Sequence, residues 1–157
     1  MGFESANYHY VPGCAGVREL TDLLLRAWAK PLPRASGTFA YYVLRGPEHW
    51  IDIQVGAFSV AQGPSASIRV ALPNPLPVLG ALSKLFTLLL AEGEGYIIDK
   101  ESKRTFTRIN DSNWQIIEST YKARSALFQQ YFGDFAAPIS GEDVFAYVEK
   151  LRRNQNR

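Results

Sequence analysis

Polar side chains occupy every second position of one predicted strand, at residues 49–55. Because side chains alternate between the two faces of a strand, Trp50, Asp52 and Gln54 are expected on one face. The same alternation turns Arg69 outward in a nearby predicted strand, which would place its guanidinium beside Asp52. Tryptophan and arginine side chains dominate the binding energy of protein–protein interfaces. These four residues are the predicted partner-binding site; the alternative is a structural role, with the side chains paired across strands or covered by a helix.

The same strand holds a histidine and a carboxylate, a combination used in general base catalysis. His49 and Asp52 are three residues apart, however, so a strand would turn them to opposite faces. The one cysteine, Cys14, has no nucleophile motif around it, and the chain contains no G-x-S-x-G segment. We therefore predict no catalytic residue and a protein that is not an enzyme.

Metal and cofactor signatures are missing from the sequence. One cysteine permits neither an internal disulfide nor a cysteine-based zinc site, and His9 and His49 lie far apart along the chain. The sequence therefore predicts no metal and no cofactor. Two carboxylate pairs belong to neither a phosphate-binding loop nor a dinucleotide fingerprint and are interpreted as structural: Glu92 with Glu94, and Glu142 with Asp143.

Two clusters of basic residues stand out in a chain whose formal net charge is only +2. Both could contact phosphates, which makes nucleic-acid binding an alternative function. Basic side chains at the end of a helix also complement the helix dipole, and acidic neighbours dilute the first cluster, so nucleic acid is not the predicted partner. The clusters are a predicted hairpin (Lys100, Lys103, Arg104, Arg108) and a C-terminal tail (Lys150, Arg152, Arg153, Arg157).

Hydrophobic periodicity predicts the elements that position these residues. A helix is expected over residues 14–30, where Leu20, Leu24 and Trp28 belong to one apolar stripe, and Pro31 is expected to end it. The elements that follow are about four antiparallel strands over 38–72, a helix over 78–91, a hairpin over 96–108, a helix over 112–132 and a last helix capped by Ser140.

Clustered strands rather than strict alternation with helices predict an α+β fold. We expect an antiparallel sheet of about four to six strands, with helices packed on one face and at the ends. Residues 1–157 are predicted to form a single domain, with an irregular or extended arm at 1–12 and a flexible basic tail at 154–157. Hydrophobic residues make up 46% of the chain, which is enough for a substantial core and is atypical of disordered proteins.

The sequence also bears on location. The N-terminus lacks the basic start and apolar run of a signal peptide, and the most apolar stretch, residues 78–90, is shorter than a membrane span. We therefore expect a cytoplasmic protein that does not associate with membranes.

In outline, the chain resembles the small α+β immunity proteins that bacteria pair with secreted toxins. The resemblance lies in the architecture: a curved antiparallel sheet, flanking helices, abundant aromatic residues and no catalytic set. It implies a protein-binding inhibitory module that occludes the active site of one cognate toxin. The alternative is a small-molecule-binding domain or enzyme, with a pocket lined by aromatic residues such as Tyr41, Tyr42 and Tyr96.

Overall fold

The computed structural model describes residues 3–13, 17–37, 39–59, 61, 63–135 and 137–156. These residues form seven strands and four helices. In chain order they are β1 (Ser5–Val11), α1 (Val17–Arg26), β2 (Lys30–Ser36), β3 (Phe39–Gly46), β4 (His49–Ala57), β5 (Pro64–Ala71), α2 (Val78–Gly93), β6 (Tyr96–Asp99), β7 (Arg104–Phe106), α3 (Asp111–Phe132) and α4 (Gly141–Gln155).

All seven strands belong to one antiparallel sheet in the order β2-β3-β4-β5-β1-β6-β7. The predicted α+β class is thus confirmed, with seven strands instead of four to six. Two strands are additional, and the described part of residues 38–72 holds three strands, β3, β4 and β5, instead of about four. One additional strand is β1, within the segment expected to be an irregular or extended arm. Tyr8 pairs with Ile68 on one side and with Asp99 on the other. The strand is covered on both faces, so it lacks the apolar alternation that identifies a half-buried strand.

The other additional strand, β2, contains two prolines. The predicted helix over 14–30 ends earlier, because α1 stops at Arg26 and the chain becomes extended from Lys30. Proline cannot donate a ladder hydrogen bond, but it is tolerated in an edge strand. β2 is such an edge strand, and its register with β3 shifts between Pro31 and Ala35.

One face of the sheet packs against α1 and α2. This face carries Leu44, Ile51 and Ile53, which are buried. The ring of Tyr8 meets Phe86 of α2 edge-on at 5.1 Å, and the Tyr10 hydroxyl donates to a carbonyl of α2, that of Leu89, at 2.9 Å. The core therefore lies between this face and the two helices. Strand alternation puts residues 50, 52 and 69 on the opposite face.

The last two helices begin where the sequence predicts. The Asn110 side chain accepts a hydrogen bond from the Asn113 amide at 2.8 Å, and Ser140 Oγ accepts one from the Asp143 amide at 3.1 Å. Such bonds satisfy amides that a helix start leaves unpaired. α3 packs against the end of β5, where Ser125 donates to a carbonyl just beyond that strand. α4 continues to Gln155, and within the described ranges no helix combines the length and apolarity needed to cross a membrane.

Candidate binding cleft

The predicted partner-binding residues lie together on the strand face that α1 and α2 leave uncovered. Asp52 and Arg69 are directly opposite each other in neighbouring strands. The Asp52 carboxylate accepts two hydrogen bonds, from the Trp50 indole at 2.9 Å and from the Gly141 amide at 2.7 Å. Burial raises the pKa of Asp52, and these two bonds and the charge of Arg69 oppose that rise. Asp52 therefore holds the first residue of α4 on the sheet.

Arg69 ties the same helix start to the first strand. Its guanidinium donates to the Glu4 carboxylate at 3.2 Å, to Ser5 Oγ at 3.1 Å and to the Gly141 carbonyl at 2.8 Å. Gly141 permits this approach, because a Cβ there would lie 2.7 Å from Arg69 Cδ. Asp52 and Arg69 thus have intramolecular partners, and a role for them in binding another protein stays a prediction.

Trp50 and Gln54 occupy the more open part of this face. The Arg45 guanidinium lies over the Trp50 ring, 4.6 Å from its centroid. Gln54 donates to the Tyr41 hydroxyl at 3.4 Å. Both side chains are partly exposed. Arg45 also lines the cleft described below, so it connects Trp50 to a second candidate site.

The histidines do not join the carboxylates. His49 faces away from Asp52, as strand alternation predicts, and His9 is fully buried with Nε2 2.7 Å from Ser65 Oγ. Burial and the positive charge of Lys100 lower the pKa of His9 to about 4. Cys14 lies outside the described residues. Among those that are described, no three histidine, cysteine or acidic side chains are grouped so as to hold a metal ion.

The aromatic residues suggested for a ligand pocket are not gathered in one cavity. Tyr41 lies on the face with Gln54, whereas Tyr42 lies in the core and its hydroxyl is 3.1 Å from Thr21 Oγ1. Consecutive residues of a strand point to opposite faces, which separates these two rings. One of the open cavities that the fold forms has a different lining.

This cavity is a cleft of about 820 Å³ between the end of α1, one side of α2 and the turn from β3 to β4. Its apolar part comprises Leu44 of β3 together with α2 residues Ala81, Leu85 and Leu88. Polar and charged side chains surround this part. They are Arg26, Lys30, Arg45, Glu48, His49 and Lys84.

Trp28 lies on the rim of the cleft with 85% of its surface exposed, the most exposed large apolar residue among those described. It follows α1 in a left-handed conformation, with φ of 67°. The Ala29 amide donates to the Leu24 carbonyl at 3.0 Å and the Trp28 amide donates to that of Leu25 at 3.1 Å. This pair of bonds defines a Schellman turn, and Trp28 occupies the position where glycine is normally found.

A non-glycine residue in this conformation costs about 1–2 kcal/mol. The indole does not recover that energy by packing, because it is mostly in solvent. The sequence did not reveal this arrangement, since the spacing of Trp28 fits the apolar stripe of a longer helix. The fold ends the helix at Arg26 and turns Trp28 out to the rim.

The charges of the cleft are unequal in number. Four basic side chains and one acidic side chain line it. Arg26 is paired with Glu92, and Arg45 stacks on Trp50. Within the described part of the chain, neither Lys30 nor Lys84 forms an ion pair. The cleft therefore presents an apolar surface flanked by two ammonium groups without a partner carboxylate.

Comparison with known proteins identifies no relative of this chain. The chain matches no protein-family model and has no significant match among curated proteins or solved structures.

Proposed function

We propose that this protein is a protein-binding inhibitory module of the immunity type, which seats one cognate partner, a bacterial toxin, on the cleft beside Trp28. The partner's active site is then occluded by the bulk of the bound module. The interaction takes place in the cytoplasm and requires neither a cofactor nor catalysis by this chain.

The observation that carries the proposal is the display of Trp28. A large indole stands 85% exposed in a strained backbone conformation, beside a cleft with an apolar lining. Strained residues persist where they serve a function, and an exposed apolar surface rimmed by polar groups is typical of an interaction site. A partner that covers Trp28 would bury roughly 150–250 Å² of aromatic surface, typical of an interface hot spot.

The experiment begins with affinity capture from native lysate on the tagged protein, washed at high salt to remove contacts driven by charge alone. The matched variants are Trp28→Ala and Trp50→Ala, which each remove one indole, the first on the rim of the cleft and the second on the strand face of β4. We expect the wild type and the Trp50→Ala variant to capture one stoichiometric partner. The amount of this partner captured by Trp28→Ala should be at least tenfold lower. The reverse result would assign binding to the strand face that contains Trp50.

The inhibitory role has its own readout. The captured protein is expressed alone and together with this chain, and bacterial growth is followed. The proposal requires that the partner alone arrests growth, that the wild-type chain restores it, and that Trp28→Ala does not. A partner that is harmless alone contradicts the immunity role, and the lack of any stoichiometric partner contradicts protein binding.

A second candidate function is small-molecule binding in the same cleft. It is favoured by the cleft volume of about 820 Å³, which falls in the range of about 300–1,000 Å³ found for ligand sites. A ligand of this kind would raise the melting temperature, because it binds only the folded chain. A thermal-shift screen of metabolites, repeated with Gly80→Leu to fill the cleft, distinguishes this function from the first.

A further inference from the structure

We infer that the segment of the partner that enters the cleft is acidic and carries a large apolar side chain. The inference rests on the proposed function and specifies the chemistry of that partner. Two carboxylates of the segment meet Lys30 and Lys84, and the apolar side chain between them rests on Leu44, Leu85 and Leu88.

The charge of the cleft carries the first half of the inference. Lys30 begins the edge strand β2 and Lys84 lies on α2, so the two ammonium groups belong to different walls of the cleft. Glu48 is the one acidic residue of its lining. A partner with carboxylates would meet complementary charge here, whereas a basic partner would meet repulsion at both walls.

The lining carries the second half. Leu44 and Leu85 are buried within the fold yet reach the cleft surface, and Leu88 is partly buried beside them. Gly80 adds room, because a Cβ built there has no atom within 4 Å. An apolar side chain can therefore lie against the exposed backbone of α2 at this point. Burial of one such side chain at this point fixes the register of the bound segment.

The same features favour a peptide segment over other occupants. A nucleic acid offers phosphates to the lysines but leaves the apolar lining without a partner. A single-headed amphiphile supplies an apolar chain but only one anionic group for lysines on two walls. A peptide supplies two separated carboxylates, an apolar side chain between them and further surface to cover Trp28.

The test uses a random peptide library displayed on phage, selected against the wild-type protein and against the Lys30→Glu/Lys84→Glu double variant. We expect wild-type selections to be enriched at least twofold in Asp and Glu flanking Leu, Phe or Trp, and the double variant to reverse this charge preference. The Lys150→Glu/Arg153→Glu double variant, an equal charge change outside the cleft, should keep the wild-type preference. An unchanged preference in the double variant, or no enrichment of acidic residues, overturns the inference.

The most enriched peptide is then synthesised and its affinity measured. We expect Gly80→Leu and Lys30→Gln/Lys84→Gln each to weaken binding at least tenfold, with circular dichroism reporting that both variants are folded. Unchanged affinity in Gly80→Leu would place the peptide elsewhere and overturn the inference. Dodecanoate serves as the competing probe, and binding of dodecanoate more tightly than of any selected peptide also overturns it.

Failure of this inference is distinguishable from failure of the proposed function. If the double variant captures the same protein from lysate as the wild type, while Trp28→Ala loses it, the cleft binds a partner without acidic recognition. If the wild type captures no protein at all, the proposed function fails whatever the library selects.

Discussion

Replacement of Trp28 by glycine and by alanine separates backbone strain from the contribution of the indole. Both variants remove the exposed ring, so both lose the same small amount of packing. Only glycine relieves the left-handed conformation at φ of 67°. Relief of this strain stabilises the glycine variant by about 1–2 kcal/mol. Glycine also gives the unfolded chain more conformational freedom, which destabilises the same variant by about 0.5–1 kcal/mol. Trp28→Gly should therefore be more stable than Trp28→Ala by about 0.5–1 kcal/mol.

The assay is urea unfolding of both variants and of the wild type, followed by circular dichroism and supported by calorimetry. The expected difference corresponds to a melting temperature roughly 1–4 °C higher for the glycine variant. Both variants should lose the partner equally, since the indole is absent from each. An alanine variant as stable as the glycine variant would refute the strained turn at Trp28. Retention of the partner by both would refute the role of Trp28 in binding.

Three further predictions concern other positions. Burial lowers the pKa of His9 to about 4, so below pH 6.5 the unfolded chain binds a proton at this histidine while the folded chain resists it. The unfolding free energy of the wild type should therefore fall by roughly 3 kcal/mol relative to that of His9→Gln between pH 6.5 and pH 4. A difference between the two proteins that does not change with pH would contradict this prediction. Gly141→Ala should cost about 1–3 kcal/mol in urea unfolding by displacing Arg69, whereas Gly63→Ala, in open space, should change stability by less than about 0.5 kcal/mol. Gly80→Ala should stabilise α2 by about 0.5–1 kcal/mol. Gly80→Leu should keep the fold but abolish capture of the partner. Capture of the partner by a folded Gly80→Leu variant would exclude the cleft as the binding site.

The sheet was predictable where one of its faces is apolar. Alternation in β4 and β5 places Asp52 opposite Arg69, and the structure has that pairing. Prediction was incomplete where a strand is covered on both faces or carries prolines, as in β1 and β2. β1 depends on strands distant in sequence, about which its local pattern contains no information. β2 pairs with the strand that follows it, but its prolines indicate the end of a helix rather than a strand.

The cleft could not be predicted from the sequence, for a related reason. Its residues come from α1, β2, β3, β4 and α2, and only tertiary packing brings them together. Trp28 fits the helical spacing of the segment before it, and no glycine signals the turn that follows Arg26. In the same way, the bond between Asp52 and the amide of Gly141 joins residues far apart in the chain. Its consequence, a helix start held on the strand face, could not be read from either segment alone.

The central position of β1 affects how the chain acquires its structure during synthesis. β1 precedes the other six strands in the chain, and both of its neighbours in the sheet, β5 and β6, are made later. Because synthesis proceeds at about 5–20 residues per second, several seconds pass between the synthesis of Tyr8 and Tyr10 and that of the strands that enclose them. β1 has no partner strand until β5 has been made, and its second edge stays unpaired until Asp99 has emerged. Nascent chains halted before β6 should therefore be sensitive to proteases and bound by chaperones, whereas chains that extend beyond it should become resistant.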